Sequence, residues 1–174
     1  MTIIVEDGTG RSDAESYASV ADADSYLAAR GIAAWAALTT AAKEIALRAA
    51  GDHMLQHYRT LWLGSRQSIT QAMDWPRYSV PRPDTRNGPW SYTSYYGITE
   101  IPPEVKKACI ELALRASTAP LVKDLGAQID SVSVDVVSVT YTQGAREQAR
   151  YEAVDRLLAP LLLAGDFSFS LARA

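Results

Sequence analysis

The sequence predicts a mainly α (α+β) domain: four helices, a long irregular loop over 61–101 and a small antiparallel β-hairpin over 129–141. Three observations carry that expectation. Apolar residues recur at helical spacing in four stretches, each bounded by residues that start or stop a helix. Between the second and third stretches the periodicity fails for about forty residues, an unusual length for a connection in a compact domain. One β-branched run then alternates with a period of two. The 174 residues, 48% of them hydrophobic, suffice for one domain with a substantial core. Residues 1–160 read as that domain and 161–174 as a C-terminal docking tail.

Ser19 opens the first helix as an N-cap, with Asp22 in the capping-box position. Val20, Ala23 and Leu27 share its apolar face, and Gly31 ends it. A second helix runs from Thr39 or Thr40 to about Tyr58, with Leu47, Gly51, Met54 and Tyr58 on one face. Glycine inside a helix costs about 1 kcal/mol against alanine, so Gly51 on the packed face implies a close neighbour. Pro76, Pro81, Pro83, Gly88 and Pro89 then forbid a long helix. The third helix opens at Ile101-Pro102-Pro103-Glu104, with proline in its first turn and Val105, Ala108, Cys109, Leu112 and Ala116 as its main stripe. Ile110 and Leu114 form a second apolar strip among Lys106, Lys107 and Glu111. That strip calls for another packed neighbour, within the chain or at a subunit interface.

In 129–141 the alternation changes phase midway: Val132 and Val134 are even-numbered, Val137, Val139 and Tyr141 odd. A two-residue turn at Asp135-Val136 pairs Val134 with Val137 and Val132 with Val139 and returns them to one face. Asp-Val lacks the glycine of a primed turn, which leaves a bulge as the alternative. The last helix is expected from about Glu147 to Ala159, with Tyr151, Val154, Leu157 and Leu158 inward and Pro160 as breaker. In the tail, Phe167 and Phe169 alternate with serines like an extended segment that needs a partner surface.

The net charge of -3 and pI near 5.4 argue against coating nucleic acid through bulk positive charge. Charge is nonetheless uneven. Residues 1–30 are acidic, whereas 59–90 carry Arg59, Arg66, Arg77, Arg82 and Arg86 against Asp74 and Asp84, interleaved with Trp62, Trp75, Tyr78 and Trp90 and followed by Tyr92, Tyr95 and Tyr96. Such a stretch is either a stacking platform for single strands or a loop pinned to its own body. The lone Cys109 forbids an internal disulfide and reads as a buried thiol. No run reaches the ~18–20 apolar residues of a membrane span, and the opening lacks a signal-peptide pattern, so a soluble, cytosolic protein is expected. His53 and His57 have the spacing of helical metal ligands but no accompanying glutamate or third ligand, and read as two polar histidines on the helix surface. GTGRSD lacks the lysine and spacing of a phosphate loop, and no nucleophile elbow occurs. Neither catalysis, a cofactor nor a metal is expected.

The opening IIVEDGTG, the AESYASVADADSYLAARG and AWAALTTAAKEIALRAAGDHM stretches, the QAMDWPR box, IPPEVKKACIELALRA and YEAVDRLLAPLL follow one another in a particular order. In that order they resemble a phage-encoded family of DnaT-like single-stranded-DNA-binding proteins, which in turn resembles the small head–tail connector (adaptor) proteins of long-tailed phages. Only 79–97 departs, where a shorter loop is expected. The connector resemblance implies a four-helix subunit that forms a ring of about twelve copies. Its implied partners are the portal protein, a tail-side neck or terminator protein, other copies of itself and the duplex DNA passing through, with no membrane. Its implied location is the virion neck, and the host cytoplasm during assembly. Under this preferred reading, Ile110 and Leu114 serve the subunit interface, and Phe167 and Phe169 dock on the portal or a neighbour. Under the single-strand reading, Arg77, Arg82, Arg86 and Trp90 contact DNA.

Overall fold

Ser19 and Asp22 form the expected capping box: the Ser19 hydroxyl accepts from the Asp22 N–H at 3.1 Å, and the Asp22 carboxylate accepts from the Ser19 N–H at 3.0 Å. The helix that follows, α1 (Val20–Ala28), buries Ala23 and Leu27. A computed structural model describes residues 2–83, 94–122, 131–134, 137–140 and 150–163, the 131–140 strands by backbone alone. A short helix unforeseen in the sequence, α2 (Ala33–Ala36), buries Trp35, whose indole N–H donates to Asp24 at 2.7 Å. It has no side-chain cap to announce it.

The long α3 (Thr40–Tyr58) buries Leu47, Gly51, Met54 and Tyr58 as its spacing requires. A Cβ on Gly51 would lie 2.5 Å from the Glu15 carbonyl oxygen, so the implied neighbour is main chain. That backbone belongs to the N-terminal segment, in which Val5 bridges Ser16 and Glu15 N–H donates to the Ile4 carbonyl at 2.8 Å. The Glu6 carboxylate is buried in the GTGR turn, where it accepts the N–H groups of Gly8, Gly10 and Arg11, each at 2.9 Å. Three charge-assisted bonds offset its desolvation.

Two short strands lie inside the stretch expected to be irregular: β1 (Ser65–Arg66) and β2 (Arg77–Tyr78) pair antiparallel, with Ser65 opposite Tyr78 and Arg66 opposite Arg77. Farther on, Arg82 N–H donates to Ser94 and Tyr96 N–H to Val80, so 80–82 pairs with 94–96 around Pro81 and Tyr95. The loop is therefore a folded part of the body over its described residues.

Helix α4 (Pro103–Ala116) packs against both α3 and the last helix. Cys109 is buried, and desolvation pushes its thiol above the ordinary range. Ile110 is only 3% exposed within the single chain, and Leu114 is half-buried against the core. The second neighbour that Ile110 calls for is thus already present inside the subunit. Ile110→Asp is expected to destabilise the isolated subunit by about 3 kcal/mol or more, because the new carboxylate would have no partner there. A thermal melt reads this directly, and an unchanged melting temperature would mean that water reaches the strip.

Strands β3 (Ser131–Val134) and β4 (Val137–Thr140) pair with Val134 opposite Val137 and Val132 opposite Val139, the register the phase change predicts. Asp135 and Val136 lie outside the described residues. Helix α5 (Glu152–Leu158) begins later than Glu147, because Arg150 and Tyr151 are non-helical and Tyr151 occupies the N-cap. Nor does the body stop at 160. Leu161 and Leu162 are buried, Leu63 N–H donates to the Leu161 carbonyl at 3.0 Å, and Leu163 N–H donates to the Leu61 carbonyl at 2.7 Å. An uninterrupted leucine run is too apolar to leave in water. Phe167 and Phe169 lie outside the described residues. Among the described residues no helix is long and apolar enough to cross a membrane.

Candidate nucleic-acid interface

Backbone hydrogen bonds place four segments side by side in the order 161–163, 61–66, 77–82 and 94–96. Residues directly opposite in an antiparallel pair share a face, and successive residues alternate. Trp62, Leu162, Arg77, Val80 and Tyr96 face inward and are buried. The outer side carries Leu163, Leu61 and Leu63, then Ser65 beside Tyr78 and, past the break in alternation at Ser79, Pro81 beside Tyr95. Tyr78 is 41%, Leu163 50% and Tyr95 54% exposed, so this outer face offers two aromatic rings and one leucine to solvent, while Leu61 and Leu63 are half-buried against the core.

The inner face explains the rigidity of the platform. Ring centroids step from Tyr58 to Trp62 at 6.0 Å, from Trp62 to Trp75 at 5.9 Å and from Trp75 to Tyr96 at 5.9 Å. The last two contacts are edge-to-face, the favoured arrangement for ring quadrupoles. The DWPR box anchors this column, with a cis peptide between Trp75 and Pro76. The Tyr17 hydroxyl accepts the N–H groups of Asp74 and Trp75 at 2.9 and 3.2 Å. Burial pushes the Tyr17 phenol far above its ordinary range, with the Asp74 charge adding to the effect.

Arg77 is 6% exposed and does not face solvent. Its guanidinium donates to the carbonyls of Leu63 at 2.7 Å, Gly64 at 2.7 Å and Asp74 at 3.1 Å. Burial lowers its proton affinity, against the opposing charge of Asp74. It is a brace between strands and has no donor directed at a ligand in this arrangement. Arg82 donates to the Glu100 carboxylate and to the Tyr95 carbonyl, and its guanidinium lies 4.7 Å above the Tyr96 ring. It sits at the border of the platform, already engaged by an acid and an aromatic face. Arg86 and Trp90 lie outside the described residues. The structure thus gathers Arg77 and Arg82 in one ladder, the first inward and the second at the rim.

Sequence reasoning counted Tyr78 and Tyr95 among the aromatics of this stretch but assigned neither of them a contact. Tyr78 stands opposite exposed Ser65 and Tyr95 opposite Pro81, and it is the break in alternation at Ser79, at a φ of 59°, that leaves both rings exposed while Arg77 and Val80 are buried. Away from the ladder, His53 is buried rather than on the helix surface, because Tyr151 packs against it, and it stacks on His57 with centroids 5.5 Å apart. Among the described residues no group of three His, Cys, Asp or Glu side chains could hold a metal ion.

No curated protein and no solved structure matches the chain. A family model described as "Putative DnaT-like ssDNA binding protein" matches residues 1–174. Since that match takes in the GTGR turn, the DWPR box, the ladder and every helix described above, the chain belongs to this DnaT-like ssDNA binding family.

Proposed function

We propose that the protein binds single-stranded DNA by stacking bases on the outer face of the four-segment ladder, with few contacts to phosphate. The observation that carries this reading is the pair of exposed tyrosines, Tyr78 and Tyr95, held outward by a buried aromatic column. Family membership supports the ligand class. Stacking on an aromatic side chain contributes about 1–3 kcal/mol per base and tolerates any sequence. Two rings alone give about 2–6 kcal/mol, an affinity between about tens of millimolar and tens of micromolar, and the net charge of -3 adds no long-range attraction.

Titration of a labelled oligothymidylate at two salt concentrations tests this. Expected are micromolar or weaker binding and a shallow salt dependence, with a log–log slope of about -0.7 to -1.4, as for one or two phosphate contacts. Tyr78→Ala and Tyr95→Ala should each weaken binding about tenfold, leaving the melting temperature nearly unchanged. Full affinity in the double variant would overturn the assignment of the platform.

A second reading is the head–tail connector: a ring of copies beneath a portal protein, meeting a tail-side neck or terminator protein, in the virion neck. The observation favouring it is the internal engagement of Arg77 and Arg82, which leaves a mildly acidic subunit suited to letting duplex DNA slide past. Ile110 is covered within the subunit, so such a ring would rest on other surfaces, with Phe167 and Phe169 as docking candidates. Negative-stain imaging of the protein with portal distinguishes the readings: rings seated on the portal support the connector, and monomers that bind oligonucleotide support the stacking platform.

A further inference from the structure

Helix α5 is seven residues long and has no side-chain hydrogen bond at its N-cap. Isolated helices of that length are unstable in water, so its neighbours must hold it in place. Val154 and Leu158 supply the apolar contact. Buried Asp155 accepts from the Tyr58 hydroxyl at 2.7 Å and from the Arg150 guanidinium at 2.8 Å, and the Tyr151 hydroxyl donates to the Leu121 carbonyl at 3.1 Å. The Tyr151 ring stands edge-on to the His53 imidazole, with centroids 5.5 Å apart.

His53 is an unusual residue to place at that contact. It is 7% exposed, its Nδ1 is buried without a hydrogen-bond partner, and His57 stacks on it at an interplanar angle of 12°. A neutral imidazole tolerates this surrounding. A protonated one has an N–H at each nitrogen to satisfy and a second ionisable imidazole alongside. The other groups facing the pair are Tyr58 on α3, Tyr151, Asp155 and Arg150 around α5, and Arg115 of α4, whose guanidinium lies 5.9 Å from the Tyr151 ring centroid. Only Asp155 favours a charged His53, and both its oxygens are already engaged.

We propose that protonation of His53 acts as an acid-operated release for the segment 150–163, freeing α5 and residues 161–163 together and uncovering 61–63. This device goes beyond the DNA-binding reading and does not depend on it. Burial, then the His57 charge, hold the His53 imidazole down at about 4, against Asp155. Once 150–163 has left, the uncovered imidazole on α3 returns to about 6.5. Because the docked form disfavours the proton, docking is complete above about pH 6.5 and weakens as the pH falls towards 4. The open fraction should rise about 30-fold at pH 5 relative to pH 7.5.

Hydrogen exchange of the full chain at pH 7.5 and pH 5, corrected for the intrinsic rate, tests the release. The expected result is loss of protection at the amides of Leu63, Val154, Asp155 and Leu163, while those of α1 and α4 hold. His53→Phe should abolish the effect, and the unpartnered Nδ1 means that no bond at that atom is lost. If that variant fails to fold, His57→Gln supplies the reading: removing the second charge should shrink the pH 5 loss several-fold. Unchanged protection in 150–163 at pH 5, an equal loss in His53→Phe, an undiminished loss in His57→Gln, or uniform loosening of every helix would each overturn the proposal.

Discussion

Arg77→Ala is expected to lower the melting temperature by about 8–16 °C, through a loss of about 4 kcal/mol. The guanidinium satisfies three carbonyls, two on the neighbouring 61–66 segment and one in the DWPR turn, and alanine would leave them without a donor. Hydrogen bonds from a charged donor contribute about 1.5–3 kcal/mol each, and stranded buried acceptors add their desolvation. Asp74 compounds the loss. Its carboxylate is buried, one oxygen pairs with Arg59 at 3.0 Å, and the other has no partner. Removing a neighbouring positive charge leaves that carboxylate less compensated. Lysine should not rescue the fold, since an ammonium cannot reproduce the planar fork. A circular-dichroism melt settles the matter. A variant that melts like the parent would mean that the inward guanidinium contributes nothing to the fold.

Gly51→Ala should also destabilise, by about 2–3 kcal/mol, although alanine is the better helix former. Intrinsic propensity favours the substitution by about 1 kcal/mol. Against it stands a contact of 2.5 Å between the new Cβ and the Glu15 carbonyl oxygen. That oxygen cannot easily retreat. Glu15 donates its N–H to Ile4, accepts the Ile4 N–H on its carboxylate at 3.1 Å and pairs with Arg48 at 3.0 Å. Urea denaturation should show a lower midpoint at unchanged slope. A raised midpoint would mean that the N-terminal segment moves aside without loss.

The helices and the hairpin were legible because their signals are local. The Ser19 and Asp22 box needs four residues, and the change of valine phase needs eight. Gly51 announced a neighbour but not its identity, since Glu15 is brought there only by the fold. The platform was illegible for a related reason. Its strands are two or three residues long, too short for a period to register, and their partners are distant in sequence. Ser79, at a φ of 59°, interrupts the alternation between Tyr78 and Val80. Arginines among aromatics marked the stretch in which the ladder lies, yet composition cannot tell a guanidinium that binds its own carbonyls from one that faces a ligand. Charge counts do not give direction.

The bridge between Trp62 and Leu162 joins positions a hundred residues apart. During synthesis, 61–63 leaves the ribosome long before the strand that covers it. The nascent chain must therefore carry an indole and an open strand edge until residue 163 has been added. Contacts of such separation slow the final closing step, and a chain cut short before 161 keeps that edge permanently available to other chains. The last leucines of the described structure thus act as a latch, and folding is complete only when it shuts.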